Sequence, residues 1–325
     1  VTQSTPLVTI GIPTFNRSSK LGAAIRSALD QTHEKVEVLV SDNGSTDNTA
    51  AVVASFNDDR LRYVRQDTNR GMVANFNACL DGAKGEYFLM LSDDDTLHRN
   101  AVETLVSPLV NGVDGAPAQS IGISWSPTSI VDSVGKELWT SPAGKPLQSS
   151  IEMVIRCLNG IEVPRFCSYV MRVEDIRSVG GYQERYAPLC DSASWILVAA
   201  RYSYAVCFQA SLSRYTLHTA SETSCTPISR QLEGGRNLIN DLKRHYAMCG
   251  DTVVMARLEA VARNFYSSIL ASVILQKVGQ PGWLRFAFQA AITWPKYTLT
   301  PYVLGRLITS MSKLLSLAAR PEFQR

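Results

Sequence analysis

Three consecutive carboxylates, Asp93, Asp94 and Asp95, follow the apolar run Tyr87-Phe88-Leu89-Met90-Leu91 with only Ser92 between. Charge gathered at the end of a strand-length apolar run is costly unless something cationic binds there. If strand alternation carries on through them, Asp93 and Asp95 share one side, roughly 6–7 Å apart by two strand rises, and Asp94 takes the other. Such a pair can hold a hard divalent cation, Mg²⁺ or Mn²⁺, against a phosphate-bearing ligand, because these ions prefer carboxylate, phosphate and water oxygens. This is the chemistry of a metal–diphosphate site. The plain alternative is an acidic turn that caps a helix starting near Arg99.

The elements needed to position those groups alternate along the first hundred residues. Val8 to Ile12 is a β-rich run closed by Pro13, after which Leu21, Ala24, Ile25, Ala28 and Leu29 recur at helical spacing. Val36 to Val40 predicts a second strand, and the cluster Ser41 to Asp47 opens a helix through Val52 and Phe56. Leu61 to Val64 predicts a third strand, Met72 to Leu80 an amphipathic helix and Tyr87 to Leu91 a fourth strand. This alternation implies right-handed βαβ crossovers and a mostly parallel sheet flanked by helices. Ligands of such sheets lie beyond the carboxyl ends of the strands, where Pro13 to Arg17, Asp42 to Ser45 and Asp93 to Asp95 fall. From Val110 to Ser150 the composition turns to Gly, Pro, Ser and short β segments. Helical patterns return at Ser150 to Leu158 and Ser192 to Arg201, and dominate after Pro227.

The bulk composition bounds the function. The chain has 325 residues, is 45% hydrophobic and 19% charged, and carries a net charge of only +3, which argues for a globular protein and against a nucleic-acid binder. The charge is uneven: from Lys277 onward seven basic residues face the single acid Glu322. Leu304, Leu307, Ile308, Met311, Leu314, Leu315 and Ala318 recur at helical spacing in this tail, predicting a basic amphipathic helix that lies either on an anionic membrane surface or against the catalytic domain or a second subunit, as in a homodimer. Seven scattered cysteines without a CxxC indicate neither a zinc site nor a disulfide framework and fit a reducing compartment. The polar opening Val1 to Thr5 has no signal-peptide pattern, although the chain starts without Met, so a leader ahead of it stays open. The expected location is cytoplasmic, or peripheral on the cytoplasmic face of the inner membrane. No GxGxxG or P-loop follows a strand, which disfavours a dinucleotide dehydrogenase or a P-loop nucleotidase.

Taken in order, Ile10-Gly11-Ile12-Pro13-Thr14-Phe15-Asn16-Arg17, Val40-Ser41-Asp42-Asn43-Gly44-Ser45-Thr46-Asp47, Asn69-Arg70-Gly71 with Asn75, and Leu91-Ser92-Asp93-Asp94-Asp95 resemble the successive motifs of family 2 glycosyltransferases of the GT-A fold. The resemblance runs from about Pro6 to Ser224. It implies an α/β GT-A domain over residues 1–226, with a nucleotide-sugar-binding half (1–105) and an acceptor-binding half (106–226), followed by a helical region over 227–325. It also implies a metal-dependent, inverting transfer from a UDP- or dTDP-sugar to a hydroxyl of a glycan or lipid-linked glycan, with Mn²⁺ or Mg²⁺ as cofactor.

By that resemblance Pro13, Thr14, Phe15 and Arg17 lie against the nucleotide, and Asp42 accepts the imide N–H of uracil or thymine. Asn43, Gly71 and Asn75 complete the nucleotide-sugar pocket. Asp93 and Asp94 contact the ribose or diphosphate, with Asp93 and Asp95 on the metal; Ser92 stands where many members have the first acid, which leaves the register open. His218, in Arg214-Tyr215-Thr216-Leu217-His218, resembles a metal- or diphosphate-binding position on a closing loop. Val179-Gly180-Gly181-Tyr182 followed by Leu189-Cys190-Asp191 resembles the stretch that ends in the acceptor-side acid, so Asp191 is the expected general base, against a plain helix N-cap. Trp125, Trp139 and Trp195 could stack on sugar faces or pack in the core, and His33, His98 and His245 read as surface residues. The competing reading from another class is a non-catalytic nucleotide-sugar-binding or scaffold subunit of a glycan assembly complex.

Overall fold

The computed structural model describes residues 5–217 and 226–277. The expected tail helix from Leu304 to Ala318 lies outside the described residues. The chain divides into two compact units, Val1–Val154 with Ile161–Thr219, and Ile155–Gly160 with Ala220–Arg325.

The first unit is built on an eight-stranded sheet of order β3-β2-β1-β4-β10-β6-β11-β9. Strands β1 (Val8–Thr14), β2 (Val36–Asp42), β3 (Leu61–Arg65) and β4 (Tyr87–Met90) pair in parallel, with β1 between β2 and β4. Strand β10 (Tyr169–Arg172) runs antiparallel to both β4 and β6 (Ile121–Trp125). Strand β11 (Tyr204–Cys207) is parallel to β6, and β9 (Leu147–Ser149) closes the edge in the opposite direction. The sheet is therefore parallel in its first half and mixed in its second. A second sheet of order β5-β12-β7-β8 joins β5 (Thr96–Leu97), β12 (Ser213–Thr216), β7 (Ser129–Val131) and β8 (Glu137–Thr140). Because β5 begins immediately after Asp95 and pairs with β12, this small sheet carries Thr216 to the aspartate turn.

Helices cover the sheet for reasons visible in the side chains. In α1 (Ser18–Leu29) the residues Leu21, Ala24, Ile25 and Ala28 share one face and are wholly buried. Each large apolar side chain buried this way contributes about 1.5–3 kcal/mol. The N-terminus of α1 has no side-chain cap of its own; Asp47 supplies one from a distant loop, accepting Ser18 N–H at 2.9 Å. The other Asp47 oxygen accepts Thr49 N–H at 3.1 Å at the start of α2 (Thr49–Ala54). These bonds, led by the Thr49 hydroxyl, pull the Asp47 carboxyl down to about 2. Helix α3 (Met72–Gly82) approaches β1 so closely that a Cβ on Gly11 would stand 2.9 Å from Cys79 Cβ and 2.8 Å from Phe88 Cζ. Helices α4 (Ala101–Asn111), α5 (Ser150–Leu158), α6 (Val173–Ser178) and α7 (Cys190–Ala199) complete the described helices before residue 218.

The second unit contains a helical pair, α8 (Ile228–Met248) and α9 (Thr252–Lys277), turned at Gly250 with φ 72°. Gly235 lets them meet, since a Cβ there would lie 2.8 Å from Ile269 Cδ1. Lys243 and Glu259 add an ion pair at 3.1 Å. Among the described residues no helix is long and apolar enough to cross a membrane.

Several boundaries differ from expectation. Strand β4 stops at Met90, α2 stops at Ala54 short of Phe56, and α4 begins at Ala101, so the acidic turn is not its cap. His33 is buried, its Nε2 lying 2.8 Å from the Pro6 carbonyl oxygen, contrary to its expected place on the surface.

Candidate active site

The ends of β1, β2 and β4 bring three loops together. Backbone register sets Thr14 beside Asp42 across the β1–β2 pair. Asn43 then braces the neighbouring loop: its Nδ2 donates to Asn69 Oδ1 at 2.8 Å and Gly71 O at 3.1 Å, and its Oδ1 accepts Arg70 N–H at 2.9 Å. Gly71 starts α3 with φ 89°, a conformation that favours glycine, and has open space where a Cβ would be. Asn75, buried one turn on, accepts from the Ser41 hydroxyl at 2.7 Å and donates to Thr14 O at 3.3 Å. Asp42 accepts Ser45 N–H at 2.8 Å on Oδ1 and the Tyr63 hydroxyl at 2.5 Å on Oδ2, with Arg65 Nε 3.7 Å away. These residues hold the loops in shape. Pro13 is half-buried in β1, and Phe15 beside it is 39% exposed.

Asp93 to Asp95 occupy a turn, closed by Asp95 N–H donating to Ser92 O at 3.1 Å. The alternation expected of a continued strand is therefore corrected: the turn, and not a pleat, decides where each carboxylate points. Asp93 accepts the Thr14 hydroxyl at 2.7 Å, while Arg17 lies 3.4 Å from Asp93 and 2.6 Å from Asp94. Lys20 stands 3.8 Å from Asp94. Asp95 turns away to accept Thr216 N–H at 2.8 Å on Oδ1, and the Thr216 hydroxyl donates to Asp94 O at 2.5 Å. The other Asp95 oxygen, Oδ2, is buried without a nitrogen or oxygen donor, and only the weak donor of the buried Cys167 thiol stands close enough to the carboxyl to pull it down.

Burial dominates the electrostatics of this turn. It pushes the Asp93 carboxyl up to about 6, against the pull of the Thr14 hydroxyl and the Arg17 charge. It pushes Asp95 up to about 8, with the Asp94 charge adding to it and the Thr216 N–H opposing. A buried carboxylate with one bare oxygen favours a proton or a metal cation on that oxygen. The all-oxygen donor set suits Mg²⁺ or Mn²⁺, and the bare Oδ2 of Asp95 is the point of fit. Among the described residues no group of three or more His, Cys, Asp or Glu side chains is arranged as a complete metal cage. His218 lies outside the described residues.

On the other side of the site Asp191 sits in the first turn of α7, where a negative charge is favoured by the helix dipole. The N-cap is Leu189 and has no side-chain cap bond, so the simple capping reading of Asp191 is corrected. Burial raises the Asp191 carboxyl, opposed by the Ser192 N–H and hydroxyl and by the Arg165 charge. The buried hydroxyls of Tyr169 and Tyr182 feel the Asp191 charge and lie close enough for Tyr169 to act on Tyr182 as a hydrogen-bonding side chain. Arg165 and Tyr169 escaped sequence reading because neither belongs to a motif, and Tyr182 and Thr216 stood inside motif stretches without a role of their own. The one available signal was the lone cation after Pro164 in an apolar stretch. Trp125 and Trp195 are core residues, 1% and 0% exposed, which removes them as sugar platforms; Trp139 is 50% exposed on β8.

Residues 9–160 match the profile of glycosyl transferase family 2. These residues form a family 2 glycosyltransferase domain. The glycosyltransferase domain is 38% identical over 110 residues to a GalNAc(5)-diNAcBac-PP-undecaprenol beta-1,3-glucosyltransferase of Campylobacter jejuni, a match covering 33% of this chain and 36% of that protein. Such matches span about a third or less of the length of the first curated relatives. A longer match, 26% identical over 247 residues, covers 74% of this chain and 75% of an uncharacterized protein of Mycobacterium tuberculosis. The GT-A fold is shared with S. aureus TarS 1–349 in complex with UDP-GlcNAc, at TM-score 0.61 and 15% identity over 94% of this chain and 81% of that one. It is shared too with the mannosyltransferase PcManGT of Pyrobaculum calidifontis in complex with GDP-Man and Mn²⁺, at TM-score 0.55 and 16% identity over 96% and 88%.

Proposed function

We propose that this chain transfers a glycosyl group from a nucleoside-diphosphate sugar to a hydroxyl of a glycan or lipid-linked glycan, with inversion and with a divalent cation. The observation that carries the reading is the bare, buried Oδ2 of Asp95 in a turn of three acids beside Thr14 and Arg17. The cation would be held at Asp95, with Asp93 nearby, and would offset charge developing on the leaving diphosphate. Arg17 and Lys20, already at Asp93 and Asp94, supply positive charge to the phosphates. The exposed Phe15 suits stacking on a uracil or thymine ring, while Asp42, expected to accept the imide N–H, is taken up by Ser45 N–H and the Tyr63 hydroxyl and shapes the loop instead.

Asp191 acts as general base. It takes the proton of the acceptor hydroxyl as that oxygen bonds to the anomeric carbon, and the carbon–oxygen bond to the diphosphate breaks on the opposite face. A carboxyl raised by burial is a stronger base once ionised, which suits the task. The Campylobacter relative's name specifies an undecaprenol-diphosphate-linked glycan, which supports a lipid-linked acceptor here.

The test is a thermal-shift screen of UDP-, dTDP- and GDP-sugars with and without Mn²⁺, followed by transfer of a labelled sugar from the donor that stabilises the protein. Mn²⁺-dependent stabilisation by a uracil or thymine nucleotide is expected. A folded protein that no nucleotide sugar stabilises, in either condition, would overturn the reading.

A further inference from the structure

Arg165 is a cation whose charge reaches both functional acids without an ion pair to either. Its backbone is locked in a short turn: Arg165 N–H donates to the Ser168 hydroxyl oxygen at 2.9 Å, and Arg165 O accepts Ser168 N–H at 2.8 Å. The guanidinium lies over the Tyr215 ring, its central carbon 4.5 Å from the ring centroid. Tyr215 directly precedes Thr216, which binds Asp95 Oδ1 and the Asp94 carbonyl. The Arg165 charge favours ionisation of Asp95 on one side and of Asp191 on the other. Yet Nε of Arg165 is buried with no hydrogen-bond partner.

A buried charged donor left unpaired is unfavourable, and the planar guanidinium fork matches a phosphate with two parallel bonds. The contact with Tyr215, next to Thr216, keeps that fork beside the aspartate turn. Arg17 and Lys20 share their charge with Asp93 and Asp94, whereas Arg165 pairs with neither acid. We propose that Arg165 binds the diphosphate of the sugar donor from the acceptor side of the site and stabilises it as it leaves. This assignment rests on the nucleotide-sugar reading above.

The test compares wild type, Arg165→Met and Arg165→Lys in the full chain by calorimetric titration with Mn²⁺ present. The probes are the best-bound of UDP, dTDP and GDP and the matching nucleoside monophosphate. Hydrogen bonds to charged groups are worth enough that Arg165→Met should weaken diphosphate binding about ten- to hundredfold. Monophosphate binding should hold, so the diphosphate preference collapses; Arg165→Lys, which keeps the charge without the fork, should fall between. A purely structural role would weaken both probes together, and unchanged preference in either folded variant overturns the assignment. Wild type that binds none of the three diphosphates fails the donor reading itself, and the assignment with it. If the variants keep the preference but lose transfer to a diphosphate-lipid acceptor, the phosphate met by Arg165 is the acceptor's and the proposal is wrong.

Discussion

Asp42 ends β2 and Asp95 lies in the turn that follows β4, and both are shut from solvent, at 0% and 1% exposure, yet their oxygens meet different company. Both oxygens of Asp42 accept protein donors, Ser45 N–H and the Tyr63 hydroxyl. Asp95 has one oxygen satisfied by Thr216 and one bare. Burial of a satisfied carboxylate shapes a loop; burial of a half-satisfied one stores a demand for a cation or a proton. Asp191 belongs with Asp95, since burial raises its carboxyl against the pull of the Ser192 N–H and hydroxyl.

The sharpest break of this comparison is at Asp191. Asp191→Asn keeps the side-chain shape, removes the charge and with it the base, and should cost about 10²–10⁴-fold in turnover. Donor affinity, measured by calorimetry, should be unchanged. Near wild-type transfer by the folded variant would return Asp191 to the structural class with Asp42.

The second test is the pH dependence of stability without ligand. In an unfolded chain an aspartate titrates near 4, whereas folded Asp95 is pushed up to about 8 and Asp93 to about 6. Between those values the folded state holds protons that the unfolded state has lost, so stability falls as pH rises from about 4 to about 8 and levels off above. Thermal melts in chelator should follow that fall, and Mn²⁺ added near pH 8 should reverse it. Asp95→Asn should flatten the portion between about 6 and 8 and lose the Mn²⁺ response. Parallel pH profiles for variant and wild type would remove Asp95 from the cation site.

The parallel half of the fold was legible in the sequence because each strand and helix there obeys one period. Continuous runs such as Val8 to Ile12 belong to strands buried on both faces, and Leu21, Ala24, Ile25 and Ala28 to one helix face. The donor-side loops were legible for the same reason: they follow those strands directly. The orientation of the aspartates was not, because β4 stops at Met90 and a turn closed by Asp95 N–H to Ser92 O points Asp93 at Thr14 and Asp95 at Thr216. Arg165 and Thr216 were illegible for a different reason. Their approach to Asp95 depends on the pairing of β5 with β12, separated by more than a hundred residues, and no local pattern encodes it.

The smallest expected effect turns Asp42 into a copy of Asp95. Tyr63→Phe deletes the hydroxyl that meets Oδ2 at 2.5 Å and leaves only Arg65 Nε at 3.7 Å, beyond hydrogen-bond range. Leaving a buried acceptor unsatisfied costs about 1–3 kcal/mol, so the urea midpoint should drop while the denaturant slope stays constant. Mn²⁺ should not restore the loss, because Arg65 already supplies positive charge at Asp42 and repels a second cation. A Tyr63→Phe protein as stable as wild type would mean that the Tyr63 bond contributes nothing and that satisfaction of its oxygens is not what separates Asp42 from Asp95. A loss repaired by Mn²⁺ would mean that any bare buried carboxylate at this sheet end takes the cation, and the distinction between the two turns would rest on Tyr63 alone.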